Sequence, residues 1–580
     1  MNSKKYSLLY PKEDVVYKKI SLTTMHDLGL DSICKQLSVK EAEHNMILNI
    51  LSKTCDDAYV IGYRCDVFED ILNNKKMRED LMEILDRINF IRDYGGINQE
   101  YDEKTNIWDL MHRLDEINDY IKCVDALHEC LSDKKIKSEG LIGLREYIEK
   151  IYSDNGFAQL KEDISKLNFD TSKLKSITVG INLNSRFEAV GIGLVSINNK
   201  YFTESGIISN FCGHISSKDK INDDVKWKEN YKYHSLETHD FSSATEFLHK
   251  AAGMGLALKN PIFATTGVAA VAEDDSTKEI THYMDRVVNQ MISGMVKKLK
   301  DVLNRYVSIT ITDMTDLIPE LFYYIKWAEF VEKQTEKGTH FAKPEVIKTS
   351  DKDKQDVFLA KARGIYNIKL AVSDEGKSEN IVTNDIDFDK EHRVYILTGA
   401  NRGGKTTITQ TIGQLFVLAQ GGIYIPGEEF KFSPTDCVYT HFPADEDKTF
   451  DLGRLGEECK RFKEMYSEST EKSLLLMNET FSTTSFEEGY YIARDSVRAI
   501  LSKGVRTVYN THMHKLAYDI DELNNDNNQG KAYSLIVHNE GEKRSYKIEI
   551  APPTGKSFAS DIAKKYGVTY DLLTKRDLTI

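Results

Sequence analysis

The run Gly399-Ala-Asn-Arg-Gly-Gly-Lys-Thr-Thr407 constrains this chain more than any other, because it matches GxxxxGK[ST] between two segments of opposite periodicity. Before it, Arg393–Thr398 is almost continuously apolar and reads as a central strand. After it, Ile408, Ile412, Leu415, Phe416 and Leu418 recur on a helical period, with no proline from Lys405 to Ala419. A strand that turns through glycines into a helix aims consecutive backbone N–H groups at one point, which is how a polypeptide cradles phosphate. Gly399, Asn401, Gly403, Gly404 and Thr407 are the candidate nucleotide-binding positions of this loop. Lys405 offers an ammonium to the terminal phosphates and Thr406 a hydroxyl to Mg²⁺. The expected ligands are therefore ATP and Mg²⁺.

A second strand, Ser473–Met477, ends in Asn478-Glu479. Attack on a γ-phosphate needs a group that orients water and another that holds the metal's hydration shell, and the end of a neighbouring strand is where both would sit. Glu479 is the candidate base. Asn478 stands where aspartate is usual and, being neutral, holds metal-bound water less firmly. A third strand, Val508–Asn510, runs through Thr511 into His512, a candidate sensor of the γ-phosphate; His514 reads equally well as a surface residue.

At 580 residues the chain is too long for one core. Residues 1–175 are dominated by helical periodicity, including a stripe of Ile107, Leu110, Met111, Leu114, Ile117, Ile121, Val124, Leu127 and Leu131. Residues 176–275 are β-containing, with a hairpin predicted to turn at Asn184–Phe187. Residues 276–345 return to long helices, Pro319 marking a kink or a later start. A charged stretch, Lys343–Gln355, reads as a linker into residues 346–530, which hold the three motifs. Residues 531–580 read as a hairpin turning at Asn539-Glu540-Gly541, then two short helices broken at Gly567. The fold class is multidomain α and α/β, a helical core and lever with an inserted β-rich module ahead of an α/β nucleotide domain.

Eight scattered cysteines without a CxxC pair and the lack of a charged-then-apolar leader predict a reduced, cytoplasmic setting. No membrane span is expected: the longest apolar candidate, Pro261–Ala272, is well short of the roughly 20 residues a bilayer needs. A net charge of −14 argues against coating nucleic acid non-specifically but leaves room for local basic patches. Lys218, Lys220, Lys226, Lys228 and Lys232, interleaved with Trp227, Tyr231 and Tyr233 but diluted by Asp219, Asp223, Asp224 and Glu229, fit either a DNA-backbone contact or a solvated loop.

Taken together, TGANRGGKTT, LLLMNETFSTTS and NTHMHKL resemble the ATPase of the MutS mismatch-repair family, itself related to ABC ATPases. The likeness is strong after residue 380 and weaker before it. It implies an ABC-type ATPase that closes as a homodimer, with Glu479 positioning water, Thr484 and Ser485 facing the partner subunit, His512 sensing the γ-phosphate, and a clamp on double-stranded DNA. The C-terminal Gly555–Leu573 resembles that family's dimerising helices. Three departures stand out. The chain enters helical sequence at once, leaving no room for the mismatch-reading domain. Asn478 replaces an acid. Asp451–Glu458 occupies the place of the trans-acting segment without its serine and aromatic. The early end of the chain also argues against an appended Smr nuclease. Two rivals remain open: an ATP-gated scaffold with vestigial hydrolysis, which Asn478 favours and Glu479 opposes, and a transporter's ATP-binding subunit, which the absence of an LSGGQ-like signature weakens.

Overall fold

The structure is a computed structural model that describes residues 6–12, 14–94, 107–132, 135–166, 176–183, 185–186, 189–198, 201–204, 226–228, 297, 300–304, 317–347, 359–372, 381–399, 403–443, 453–525, 529–540, 543–553, 566–570 and 573. The chain forms two compact units, one of residues Met1–Arg92, Lys122–Tyr152 and Ile311–Ile580, the other of Asp93–Ile121 and Ser153–Thr310.

The first unit is built on a six-stranded sheet in the order Val438–His441, Leu474–Asn478, Arg506–Asn510, His392–Thr398, Lys531–Glu540, Lys543–Ile550. The first five strands are parallel and the last is antiparallel. Parallel strands need crossovers that cover both faces, which is why Leu474–Asn478 and Arg506–Asn510 are buried at every position. Alternation decides which face each side chain serves. Val394, Ile396, Leu475, Met477 and Tyr509 pack with Ala493, Val497 and Ile500 of helix Phe486–Lys503. On the other face lies helix Lys405–Gln420, whose Gly413 sits so close to Leu476 and Leu28 that a Cβ there would lie within 2.7 Å of both side chains.

A second sheet, ordered Asn384–Phe388, Ala360–Ile365, Glu429–Phe432, Glu345–Val346, packs against the same helix through aromatic edges. Phe416 meets Phe430 and Phe432 at centroid distances of 5.2 and 5.7 Å. Two sequence expectations change here. The segment expected as a linker contributes strand Glu345–Val346 to this sheet, and Lys343 bridges Asp66 and Glu69 at 2.7 Å each. The division expected after residue 530 falls inside the larger sheet, because Lys531–Glu540 pairs directly with His392–Thr398.

Helix Leu317–Glu336 is buried almost all round, with Trp327, Tyr323 and Tyr324 at 0% exposure. Pro319 lies in its first turn, where a missing N–H costs no helical bond, so the proline marks the start of this helix and not a kink. Helix Ala58–Asn73 packs beside it and is capped by Asp57, which accepts from Tyr59 N and Val60 N.

In the second unit, Ser176–Leu183 and Ala189–Asn198 form the expected antiparallel hairpin, and Tyr201–Glu204 pairs with Lys226–Lys228. The remaining members of the lysine cluster, Lys218, Lys220 and Lys232, the stretch Pro261–Ala272 and most of the C-terminal helical pair lie outside the described residues. Among the described residues no helix is long and apolar enough to cross a membrane.

Candidate functional site

The three sequence motifs converge at the carboxyl end of the parallel strands, where the register brings Leu397, Asn478 and Asn510 side by side with Thr398 next along. Gly399 has φ 140°, and a Cβ on it would lie 3.3 Å from Val537. Gly404 caps the following helix in the left-handed region at φ 92°, and its carbonyl accepts from Ile408 N at 2.9 Å. Between them Gly403 is buried, while Asn401 lies outside the described residues. The first-turn N–H groups of helix Lys405–Gln420 thus open toward the strand ends.

Lys405 is only 5% exposed and its Nζ donates to Gly399 O at 2.9 Å. Burial pulls its ammonium below the ordinary lysine value, and the charge of Glu479 opposes that pull. Thr406 Oγ1 donates to Asn478 Oδ1 at 3.1 Å, and Asn510 Nδ2 donates to the same oxygen. Thr407 acts through its carbonyl, which accepts from Asn367 Nδ2 at 3.0 Å and Thr411 Oγ1 at 2.8 Å.

Glu479 emerges from its strand with φ 52°, two residues before Phe481 at φ 61°, and both conformations are uncommon for side-chain-bearing residues. The turn is held because Glu479 N donates to Asn510 O at 2.9 Å. His512 Nε2 lies 2.7 Å from Glu479 Oε1. That hydrogen bond, with the charges of His512 and Lys405, holds the Glu479 carboxyl below the usual carboxylate range despite partial burial. Histidine, carboxylate and lysine therefore form one electrostatic group. His514, next along, is half-buried, and burial lowers its basicity.

Thr484 and Ser485 have a local role. Ser485 caps helix Phe486–Lys503, accepting from Glu488 N, and Thr484 Oγ1 donates to Glu488 Oε2 at 2.6 Å. Ser485 is exposed and Thr484 half-exposed at this helix start.

Two functional candidates were not visible in sequence. His441 is 2% exposed. Its Nδ1 lies 3.1 Å from Thr480 Oγ1 and its Nε2 3.0 Å from Glu458 O, and burial pushes its pKa down to about 4. It braces the residue next to Glu479. Glu458, part of the segment read as trans-acting, is itself buried within its own chain, and burial raises its carboxyl above the ordinary value. The other is Tyr546, at φ 57°, whose carbonyl accepts from Asn384 Nδ2 at 3.1 Å. A Cβ on Gly404 would lie 3.3 Å from its ring, so a partly exposed aromatic rests against the end of the glycine loop.

The donor set fits a nucleotide and its metal in an unequal way. Asn510 Oδ1 is buried without a hydrogen-bond partner, while its Nδ2 donates to Asn478 Oδ1, so one acceptor at these strand ends is left for a ligand or water to satisfy. Among the described residues no cluster of three or more His, Cys, Asp or Glu could hold a metal.

Residues 395–576 match the profile of MutS domain V, and residues 56–336 that of the MutS2 N-terminal domain. Endonuclease MutS2 of Thermus thermophilus is 26% identical over 196 residues, 34% of this chain and 26% of that protein. DNA mismatch repair protein MutS of Prochlorococcus marinus is 27% identical over 244 residues, 42% of this chain and 26% of that protein. Endonuclease MutS2 of Caldicellulosiruptor bescii is 26% identical over 305 residues, 52% of this chain and 37% of that protein. The matched stretches thus span well under half the length of these relatives.

Proposed function

Because the chain belongs to the MutS family, we propose that it is an ATP-binding and slowly hydrolysing protein of DNA mismatch repair or recombination, acting as a homodimer whose nucleotide state governs its grip on double-stranded DNA. The observation that carries the reading is the convergence of the glycine loop, Lys405, Thr406, Asn478, Glu479 and His512 at adjacent strand ends.

Bound there, ATP with Mg²⁺ would supply the phosphoanhydride and the Lewis acid. The chain's own residues account for the rest. Gly403, Gly404 and the first turn of the helix present N–H groups to phosphate oxygens, and Lys405 exchanges its carbonyl partner for a phosphate oxygen. Glu479, kept ionised by His512 and Lys405, accepts a hydrogen bond from the attacking water, and His512 holds the carboxylate in place. Asn478 contributes a neutral acceptor to the metal's water shell, so turnover is expected at or below about 1 s⁻¹, the bottom of the usual enzyme range. Thr484 and Ser485, at an exposed helix start, complete the partner subunit's nucleotide site. The same neutral Asn478 supports a second reading, an ATP-gated scaffold that scarcely hydrolyses.

The deciding experiment measures ATP hydrolysis and DNA binding in the same preparation, with homoduplex, mismatched, branched and single-stranded DNA. ATP hydrolysis that Glu479→Gln removes, together with salt-sensitive DNA binding, supports the enzyme reading. Nucleotide binding without turnover favours the scaffold, and absence of nucleotide binding overturns both.

A further inference from the structure

The far end of helix Lys405–Gln420 is tied down by side chains from distant helices. The last carbonyls of a helix usually face water or a capping turn. Here the carbonyls of Ala419, Gln420 and Gly421 each meet a side chain from a distant helix: Cys65 Sγ at 3.8 Å, Arg64 Nη1 at 3.0 Å and the Tyr323 hydroxyl at 2.9 Å. Arg64 is 2% exposed and Tyr323 fully buried. The same guanidinium sends Nε to Leu9 O at 2.9 Å and lies 5.0 Å from the centroid of the Tyr10 ring. Gly422 follows at φ 82°, and a Cβ on it would be 2.4 Å from Arg64 Cβ and 2.9 Å from Arg64 C, so the two main chains touch. The Gln420 side chain donates to Thr54 Oγ1 at 2.7 Å and to Cys55 O and Thr435 O at 2.8 Å each.

A buried guanidinium whose hydrogen bonds go to main-chain carbonyls is a costly way to fill space, and a methionine would fill it more cheaply. What the arginine supplies is geometry: one planar fork fixing residue 9, helix Ala58–Asn73 and the end of the loop helix to one another. The body of the helix is held too. Gln410 Nε2 donates to Asp27 O at 2.7 Å and Gln414 Nε2 to Leu28 O at 2.8 Å. A helix of about 24 Å, gripped along its length and close-packed at its end, moves as a rod and does not bend.

We propose that Arg64 and Tyr323 are positioning residues that pass displacement of helix Lys405–Gln420 to helices Ala58–Asn73 and Leu317–Glu336, so that the state of the glycine loop reaches the helical part of this unit through two side-chain bonds. The proposal rests on the nucleotide reading of the loop.

The test uses the full chain with a non-hydrolysable ATP analogue. A titration gives nucleotide affinity, and hydrogen–deuterium exchange follows peptides covering 58–73 and 317–336 in the same samples. The parent should show nucleotide-dependent exchange in both helices. Arg64→Lys and Tyr323→Phe should keep nucleotide affinity within about twofold while cutting that response by about threefold or more. Tyr323→Phe removes one oxygen and keeps the measurement interpretable where Arg64→Lys unfolds the joint. A full response in Tyr323→Phe, or a parent that binds nucleotide without any response in either helix, overturns the proposal. A parent that fails to bind nucleotide overturns the reading of the loop instead, and the titration reports that separately.

Discussion

His512 Nε2 lies 2.7 Å from Glu479 Oε1, although 33 residues separate them, because strands Leu474–Asn478 and Arg506–Asn510 are parallel neighbours with Asn478 opposite Asn510. The pairing keeps Glu479 ionised below the usual carboxylate range. Its folded pKa is depressed, so the ionised form persists as pH falls past the ordinary glutamate value and is lost only at lower pH. Single-turnover hydrolysis measured against pH should therefore hold on the acid side. His512→Ala should shift the acid limb upward, toward the ordinary value, and Glu479→Gln should abolish hydrolysis while ATP still binds. A Glu479→Gln variant as fast as the parent would remove Glu479 from the role of water-orienting group.

Lys405→Ala should weaken nucleotide binding by at least about tenfold, since a charge-assisted hydrogen bond is worth roughly 1.5–3 kcal/mol. The fold should survive, because burial already disfavours this ammonium and its loss relieves that cost. Circular dichroism with a nucleotide titration checks both halves; unchanged affinity would mean that the loop is not a phosphate cradle.

The glycine loop and the strands beside it were legible because the signals are local: a short apolar run, turn residues and a helical period each lie within about ten residues. Glu479 was legible for the same reason, standing at the end of such a run. His441, Tyr546 and Arg64 were not. Each depends on a contact between segments far apart in sequence, Thr480 for His441, Gly404 and Asn384 for Tyr546, Gln420 for Arg64. The hairpin at 531–550 shows the limit well. Its two strands are written locally, with Asn539 and Glu540, expected in the turn, still paired as strand residues, but the partnership of its first strand with His392–Thr398 spans more than a hundred residues and leaves no local trace. Thr484 and Ser485 illustrate the converse, since a helix cap and a partner-facing surface call for the same residue types.

Stability should decline in acid through His441. Its folded pKa of about 4 lies below the ordinary 6.5, so the unfolded chain takes up the proton first. The stabilisation is fully present above pH 6.5 and is lost as pH falls toward 4, a change on the order of 3 kcal/mol for one such group. Chemical denaturation across that window should show a slope that flattens in His441→Gln. An equally steep slope in the variant would assign the loss to other groups.

Asn478→Asp is the substitution on which the two functional readings part. Asn478 Oδ1 already accepts from Thr406 Oγ1 at 3.1 Å and from Asn510 Nδ2, and an aspartate oxygen in the same place accepts from both, so the change preserves the local bonds. What it adds is a negative charge beside the expected metal position, where a carboxylate holds Mg²⁺-bound water more firmly than an amide does. Hydrolysis should therefore rise, or the Mg²⁺ concentration for half-maximal activity should fall, with nucleotide affinity in the presence of Mg²⁺ at least maintained. Steady-state rates across a Mg²⁺ titration measure both. Enhanced turnover means that the chain carries a complete catalytic site slowed by one neutral side chain. Loss of activity in Asn478→Asp, with the fold intact, would mean instead that the amide pair of Asn478 and Asn510 has a chemical role that a carboxylate cannot fill, and the slow-ATPase account of Asn478 would fall.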